Sequence, residues 1–513
     1  MVPSAGVTST DKNSALSAEP EATTTHTDVT RVAGRGTVYI TLAKVWFMLT
    51  GYATHFALAR LMSIENYGLY QVVMGVVAII NAVITIGTSQ TVSKYVSHDE
   101  ASADSVKNAA LRLQLLIGGG ASLCFLLLAP VVSAYLRDPQ LTNYLRLASL
   151  IPLAYSFYSV FVGYFNGQKR FLTQAGLDAT YSTLKVFFIL LLVSLGYGVG
   201  GGVGGFALAA GVVLVISAVV ARRSHDTAVI NKRSMPLREL AHFQIYLLGF
   251  TLVMNLLQKV DLILIKSLSS SNPQTASENA GYYGAAINLA NITYQIIISM
   301  AFVVFPLVSR AAFEEDRART RTYIANTLRY SLMIMAGVAT LLSANATEAI
   351  RLVYKAEYEV AAPSLRIVAF GMLFFGVLFV ATTIISASGR PSVSLLIGLV
   401  TLISSASLNA ALIPGYGIAG AATATTAGMA LGSVLCGSYL LSSFKALMSM
   451  SSLIRIVSCS ALVYVVSAAV TASSRPLIVA KLVGVGIVYI AGLIATREIG
   501  SSEVSAARKV LGV

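Results

Sequence analysis

"GYGVGG" at residues 196–201 and "GYGIAG" at residues 415–420 are one glycine-rich turn written twice, in the two halves of one chain. Glycine clusters of this kind mark places where a chain turns sharply or two backbones approach closely. Working outward from these turns, two other marks recur in the same order and at nearly the same offset. "ENYGLY" (65–70) is answered by "ENAGYYG" (278–284), which pairs Gly68 with Gly284. "NGQKRF" (166–171) is answered by "SGRPS" (388–392), which pairs Gly167 with Gly389. The chain reads as an internal duplication.

The composition says what is duplicated. Of 513 residues, 56% are hydrophobic and only 11% charged, with a mean hydropathy of +0.75. Soluble proteins carry about 25% charged residues. Most of this chain must therefore sit in lipid, where only helices and closed barrels satisfy the backbone. The apolar runs are long and continuous rather than short alternating segments, which excludes the barrel. The prediction is an all-α polytopic membrane protein.

Runs of about 20 apolar residues give fourteen spans: 38–60, 68–91, 111–134, 143–165, 177–199, 202–221, 243–266, 282–306, 327–344, 363–387, 393–412, 418–442, 453–472 and 477–495. The repeat offset equals six spans. Six is even, so both copies share one orientation, as in a parallel repeat about an axis along the membrane normal. The expected organisation is an N-lobe over 36–221, a linker over 222–242 and a C-lobe over 243–442. Two further spans follow within 453–495. Residues 1–35 and 496–513 are expected to be tails, the first of them disordered, with no apolar signal-peptide core in the first thirty residues. The glycine turns, with Gly196, Gly198, Gly415 and Gly417, read as tight hairpins between spans five and six and spans eleven and twelve.

Net charge is +14. The cations fall in short clusters between apolar runs, with one Trp in the chain and no stacking groove, which argues against nucleic acid. With the N-terminus inside, and charges near a span end counted with the adjoining segment, 24 of the 36 Lys and Arg lie on the inside and nine on the outside, while three (Lys44, Lys185 and Lys259) lie deep within spans. That bias places both termini in the cytoplasm. Cys124, Cys436 and Cys459 all lie in apolar runs, with no metal-ligand spacing and no disulfide pattern.

At this point a resemblance becomes specific. "LARLMSIENYGLY" (58–70), "YFNGQKRF" (164–171), "KVDLILI" (259–265), "AGYYGAAINLA" (280–290), "FPLVSR" (305–310), "YKAEYEVAAPSLRIVA" (354–369) and "NAALIPGYGIAGAATAT" (409–425) follow one another in order. Together they resemble the polysaccharide transporters (oligosaccharide flippases) of the multidrug/oligosaccharidyl-lipid/polysaccharide exporter superfamily. The resemblance runs from about 36 to 495. It implies fourteen helices in two lobes, residence in the cytoplasmic (inner) membrane, and export of an undecaprenyl-diphosphate-linked oligosaccharide to the outer leaflet for surface polysaccharide biosynthesis. Membrane lipids and a downstream polymerase would be the other partners.

Such a cargo carries a diphosphate, which needs cations in the membrane. A charge at a helix centre costs about 2.5–3.5 kcal/mol on insertion scales, so intramembrane charges are functional candidates. Lys185 is the first choice for a diphosphate contact, followed by Lys44, Arg60 and Lys259. Snorkelling for Lys44 and interfacial anchoring for Arg60 are the competing readings. Asp178 lies two helical turns before Lys185 on the same helix face and could pair with it. Asp261 falls where the resemblance places an aspartate, or forms a salt bridge near Lys259 or with Arg60. His55 in span one, Asn255 in span seven and Asn288, Asn291 and Gln295 in span eight are polar residues suited to a lumen or to interhelical hydrogen bonds. No metal site, cofactor or ATP-binding P-loop is read from the sequence. Coupling to sodium, protons or the membrane potential stays open.

Three other functions compete. A drug antiporter of the same superfamily would favour acidic over basic intramembrane groups. A lipid II flippase would have a more cationic first helix. A membrane polymerase or ligase would want paired acid and base residues on a large outer loop. The largest outer loop predicted, 345–362, carries charges that fit a solvated face, so no enzyme is expected.

Overall fold

The computed structural model describes residues 26–98, 102–223, 249–297, 308, 316–472 and 474–500, with side chains from residue 38 onward apart from residue 86. Every element among them is helical. The first lobe contains α1 (His26–Leu61), α2 (Ile64–His98), α3 (Ala103–Tyr135), α4 (Leu141–Ala148), α5 (Leu150–Gly167), α6 (Phe171–Leu192) and α7 (Gly198–Arg223). The second contains helical residues 249–257, α8 (Val260–Leu268), α9 (Pro273–Ala290), α10 (Arg317–Ala344), α11 (Ala346–Val353), α12 (Ala362–Ala387) and α13 (Pro391–Phe444). The last pair is α14 (Met450–Ala469) and α15 (Arg475–Ala495). Nine helical runs among the described residues are long and apolar enough to cross a bilayer. The chain is a multi-pass α-helical membrane protein.

Two of those nine, Phe171–Arg223 and Pro391–Phe444, are hairpins folded at the duplicated glycines. A Cβ on Gly201 would lie 2.9 Å from the Leu192 carbonyl carbon, and one on Gly205 2.6 Å from the Ile189 nitrogen, so α6 and α7 touch backbone to backbone. In α13, Gly420 meets the Leu412 carbonyl oxygen, Gly428 meets Ser405 and Gly432 meets Thr401. Those pairings step in opposite directions along the chain, as an antiparallel hairpin requires. The span bounds drawn from the sequence put a break at 199/202, within this glycine-rich stretch. Instead α7 begins at Gly198 and stays helical, because its glycines supply the close approach to α6.

The two corners differ in one respect. Gly196 and Gly198 both have positive φ, 93° and 51°, whereas in the second copy only Gly417 does, at 55°. The first helix widens into a π turn over Val193–Tyr197 before the corner. In the second, Pro414 precedes Gly415, and its missing N–H removes one i→i−4 hydrogen bond just before the corner.

The third punctuation mark needs a correction. The structural equivalent of Gly389 (φ 87°) is Lys169 (φ 59°), not Gly167. Both close the same kind of cap: the Arg170 amide donates to the Phe165 carbonyl at 2.9 Å, and the Arg390 amide to the Ile385 carbonyl at 3.2 Å. Gly167 instead packs α5 onto α2, where a Cβ would sit 2.6 Å from Val96 Cβ.

Three further expectations change. α1 starts at His26, so residues 26–35 are helical rather than tail. The 345–362 segment is no open loop but α11 followed by a 3-10 turn over Ala356–Ala361. Of the linker, only 222–223 are described, as the end of α7; residues 1–25, 224–248 and 501–513 lie outside the described residues.

The lobes join where α2 crosses α9. A Cβ on Gly68 would lie 1.8 Å from the Ser277 carbonyl oxygen, and one on Gly281 2.5 Å from the Ile64 carbonyl oxygen. Asn288 donates to the Tyr67 hydroxyl across the same seam at 3.1 Å. The final pair, α14 and α15, is held on the second lobe through α10 and α11. Glu498 meets Arg329 there at 2.6 Å, and Lys481 meets Glu348 at 2.8 Å.

Candidate substrate site

Three helices bring basic side chains toward the seam between the lobes. α6 carries Lys185, which is 8% exposed. Its ammonium lies 4.5 Å from the centre of the Phe47 ring, 5.5 Å from that of Phe206 and 5.9 Å from that of Tyr181. Ring faces stabilise a cation without consuming its hydrogen-bond donors. No carboxylate forms an ion pair with Lys185 among the described residues. Asp178 turns elsewhere: it accepts from the Tyr158 hydroxyl at 2.6 Å and lies within electrostatic reach of Lys44. The Lys185–Asp178 pair considered from the sequence does not form.

On α1, His55 lies within electrostatic reach of both Lys185 and Lys259, one from each lobe. Its Nδ1 is buried without a hydrogen-bond partner. Lys259 caps the start of α8, and its side chain runs beside Gly75 of α2. Lys185, His55 and Lys259 therefore form one basic zone that spans the seam.

The remaining polar residues divide by role. Asp261 is 1% exposed and fully engaged. It accepts from the Tyr283 hydroxyl at 2.7 Å, from the Leu262 amide at 2.7 Å and from the Thr425 hydroxyl at 3.3 Å. It makes no pair with Arg60 and ties α8, α9 and α13 together. Asn255 bonds back to the Thr251 carbonyl at 2.8 Å. Gln295 donates to the Tyr52 hydroxyl at 3.2 Å, a second polar bond between lobes. Asn291 is half-buried at the end of α9. Arg60 stands apart from Lys185. It is exposed at the end of α1 and donates to the Val353 carbonyl of the other lobe at 3.0 Å.

Several residues at the seam are not among the site candidates read from the sequence. Tyr354 and Tyr358, from the segment after α11, are buried against Phe56 and Tyr67 of the first lobe. Asp138 forms an ion pair with Lys266 at 2.7 Å from the opposite lobe. The sequence signal for Asp138 is thin: an "RDPQ" turn between two apolar runs.

The fold and these residues can be set beside known proteins. A family model described as "Polysaccharide biosynthesis protein" matches residues 57–363. An uncharacterized membrane protein of Methanocaldococcus jannaschii is 30% identical over 150 residues, a stretch that spans 29% of this chain and 29% of that relative. The solved structure of the lipid II flippase MurJ in an inward closed conformation superposes with a TM-score of 0.73 at 15% identity, covering 90% of this chain and 99% of that one. An inward-facing multidrug resistance MATE family transporter of the MOP superfamily gives 0.65 at 16% identity, covering 78% and 95%. A MOP superfamily transporter from Pyrococcus furiosus, whose binding pocket is described as reversed in polarity, gives 0.60 at 17%, covering 81% and 96%. At these identities the structural likeness shows a shared fold.

Proposed function

This chain belongs to the polysaccharide biosynthesis protein family, and on that premise we propose that it is a flippase. It carries an undecaprenyl-diphosphate-linked oligosaccharide from the cytoplasmic to the outer leaflet of the cytoplasmic membrane by alternating access of its two lobes. Both termini are cytoplasmic, and the end of the bundle where Arg60 and Lys266 lie faces outward.

The observation that carries this reading is Lys185, a buried cation faced by aromatic rings and not by a carboxylate. A purely structural lysine at that depth would find an anion or snorkel to the surface. With Lys259 across the seam it offers a basic zone reachable from both lobes, suited to a diphosphate between them. Such a zone disfavours cationic drugs by the same electrostatics.

The membrane potential supplies direction. It is worth about 2.3 kcal/mol per charge per 100 mV, so a cargo with two negative charges is driven outward by about 4.6 kcal/mol per 100 mV. When lysines neutralise the cargo, the potential acts instead on the empty cationic carrier as it resets inward.

The test is a lipid extract from cells depleted of this protein. Accumulated undecaprenyl-linked oligosaccharide on the cytoplasmic side, with loss of surface polysaccharide, is the expected result, and the attached glycan identifies the cargo. Accumulated lipid II would redirect the reading to peptidoglycan. New drug sensitivity without accumulation would replace it with an antiporter. Unpolymerised units on the outer surface would indicate a polymerase.

A further inference from the structure

The two lobes grip each other through a reciprocal pair of contacts at one end of the bundle. Each lobe's first span ends in a cation: Arg60 in the last turn of α1, Lys266 in the last turn of α8. Each cation reaches across the seam to a connection at a short helix of the other lobe. Arg60 donates to the carbonyl of Val353, the last residue of α11. Lys266 meets the carboxylate of Asp138, which precedes α4. α4 and α11 are both eight residues long. The arrangement is the duplication seen at the level of interlobe contacts.

The two contacts differ in how they are built. The Lys266 side chain is 0% exposed and that of Asp138 7%. The ammonium commits all three protons: to Asp138 Oδ2 at 2.7 Å, to Ser277 Oγ at 2.7 Å and to the Pro273 carbonyl at 2.9 Å. Only Asp138 comes from the other lobe. Parting the lobes therefore strips Lys266 of its counter-ion while leaving its two neutral acceptors in place. Breaking a buried, hydrogen-bonded ion pair is costly, so the pair holds the seam closed. An anion that takes the place of Asp138 on Lys266 lowers the cost of opening.

Resting on the flippase reading above, we propose that Lys266, with Arg60 beside the same seam, is an exit-side site for the diphosphate of the cargo. Asp138 occupies this site while the lobes are closed. The diphosphate displaces the carboxylate as the lobes part, so an anionic cargo opens its own exit. A ligand shifts such an equilibrium only by its differential affinity for the open state, and a cation released only on opening supplies that difference.

The test reads lobe separation rather than transport, so it stands or falls apart from the identity of the cargo. Spin labels are placed at Asn143→Cys on α4 and Gln274→Cys on α9, both off the buried seam, after Cys124, Cys436 and Cys459 are replaced by alanine. Distances are measured in the full chain reconstituted in lipid nanodiscs, with inorganic pyrophosphate as probe and sodium chloride of equal ionic strength as control. Pyrophosphate should lengthen the distance in the wild-type pair, and chloride should not. Asp138→Asn should raise the open-to-closed ratio by about tenfold or more without any probe. Lys266→Gln should abolish the pyrophosphate response, and Lys266→Arg should keep it. If Asp138→Asn does not fold, the wild-type, Lys266→Gln and Lys266→Arg arms still decide. A wild-type distance unmoved by pyrophosphate, an equal response in Lys266→Gln, or a folded Asp138→Asn that stays closed overturns the proposal and leaves the flippase reading intact.

Discussion

Gly198 and Gly417, matching positions in the two copies of the repeat, hold almost the same unusual backbone: φ 51°, ψ −132° and φ 55°, ψ −133°. That conformation is open to glycine and strained for any residue with a Cβ. Each is the corner of a membrane hairpin. Neither has an atom within 4 Å of where a Cβ would lie, so any cost of substitution is conformational and not steric. Gly198→Ala and Gly417→Ala should each lower stability by about 1–3 kcal/mol. Gly415→Ala should cost less, since Gly415 lacks the positive φ and is equally uncrowded. Thermal unfolding of the detergent-solubilised protein checks the order; equal losses at all three positions would contradict it.

The same pair shows why part of this protein was legible in its sequence. A backbone that only glycine adopts leaves a mark in the composition, so the corners and the six-span offset could be read directly. Lys185 was legible because a charge inside an apolar run has few harmless explanations. Where a special backbone is held by another residue, the mark is lost: Lys169 at φ 59° takes the place of Gly389, and the nearby Gly167 drew attention for a different reason. Pairings between lobes were out of reach. Lys266 and Asp138 are 128 residues apart, and a charge at the end of a span reads as an interfacial anchor until its partner is seen. Tyr354 and Tyr358 lie in a stretch that carries the family resemblance, but nothing in it marked them as seam residues, since tyrosines beside charged residues fit a solvated segment as well as a buried one.

Lys185 should separate function from stability. Removing its charge removes a desolvation cost, so Lys185→Gln should fold and insert at least as well as the wild type. Export should nonetheless fall by about tenfold or more, the loss of one charged contact of about 1.4 kcal/mol or greater. Phe47→Leu, which removes the nearest ring face, should give a smaller loss, since exposed to desolvated cation–π contacts are worth about 0.5–2 kcal/mol. Surface glycan and membrane protein level, measured together, decide it. Wild-type export in Lys185→Gln would remove Lys185 from the transport path.

The α2–α9 crossing should tolerate nothing larger than glycine. A methyl group on Gly68 would meet the Ser277 carbonyl oxygen and the Gly281 nitrogen, both backbone atoms that cannot rotate away. Gly68→Ala should therefore cost about 3 kcal/mol, the upper part of the range for overpacking. Gly51→Ala on α1, with nothing within 4 Å, should stay within about 0.5 kcal/mol. Expression level and melting temperature of the two variants provide the comparison.

Glu498 should be the residue on which the last two helices depend. Its side chain is 0% exposed, yet it serves three helices at once. It follows α15, accepts from Arg329 Nε of α10 at 2.6 Å, and lies 3.4 Å from Arg455 Nη1 of α14. Arg329 also donates to the Glu498 carbonyl. Removing one partner of a buried pair costs about 3–5 kcal/mol, so Arg329→Ala should loosen α14 and α15 from the second lobe. Arg455 is longer in reach and 42% exposed, so Arg455→Ala should cost much less. The pH dependence has a definite sign. Burial alone would raise the Glu498 carboxyl, but hydrogen bonds from Arg329 and Ser452 and the Arg329 charge hold it below its ordinary 4.5. A carboxyl lowered in the folded state contributes stability in full above its unfolded value and loses it as pH falls through the folded one. Docking of α14 and α15 should therefore hold at neutral pH and weaken below about 4.5, and Glu498→Gln should erase that acid step. Protection of Cys459, which is buried on α14, against a thiol reagent across a pH series measures both effects. Equal protection in Arg329→Ala and wild type would show that packing, and not this carboxylate, holds the pair in place.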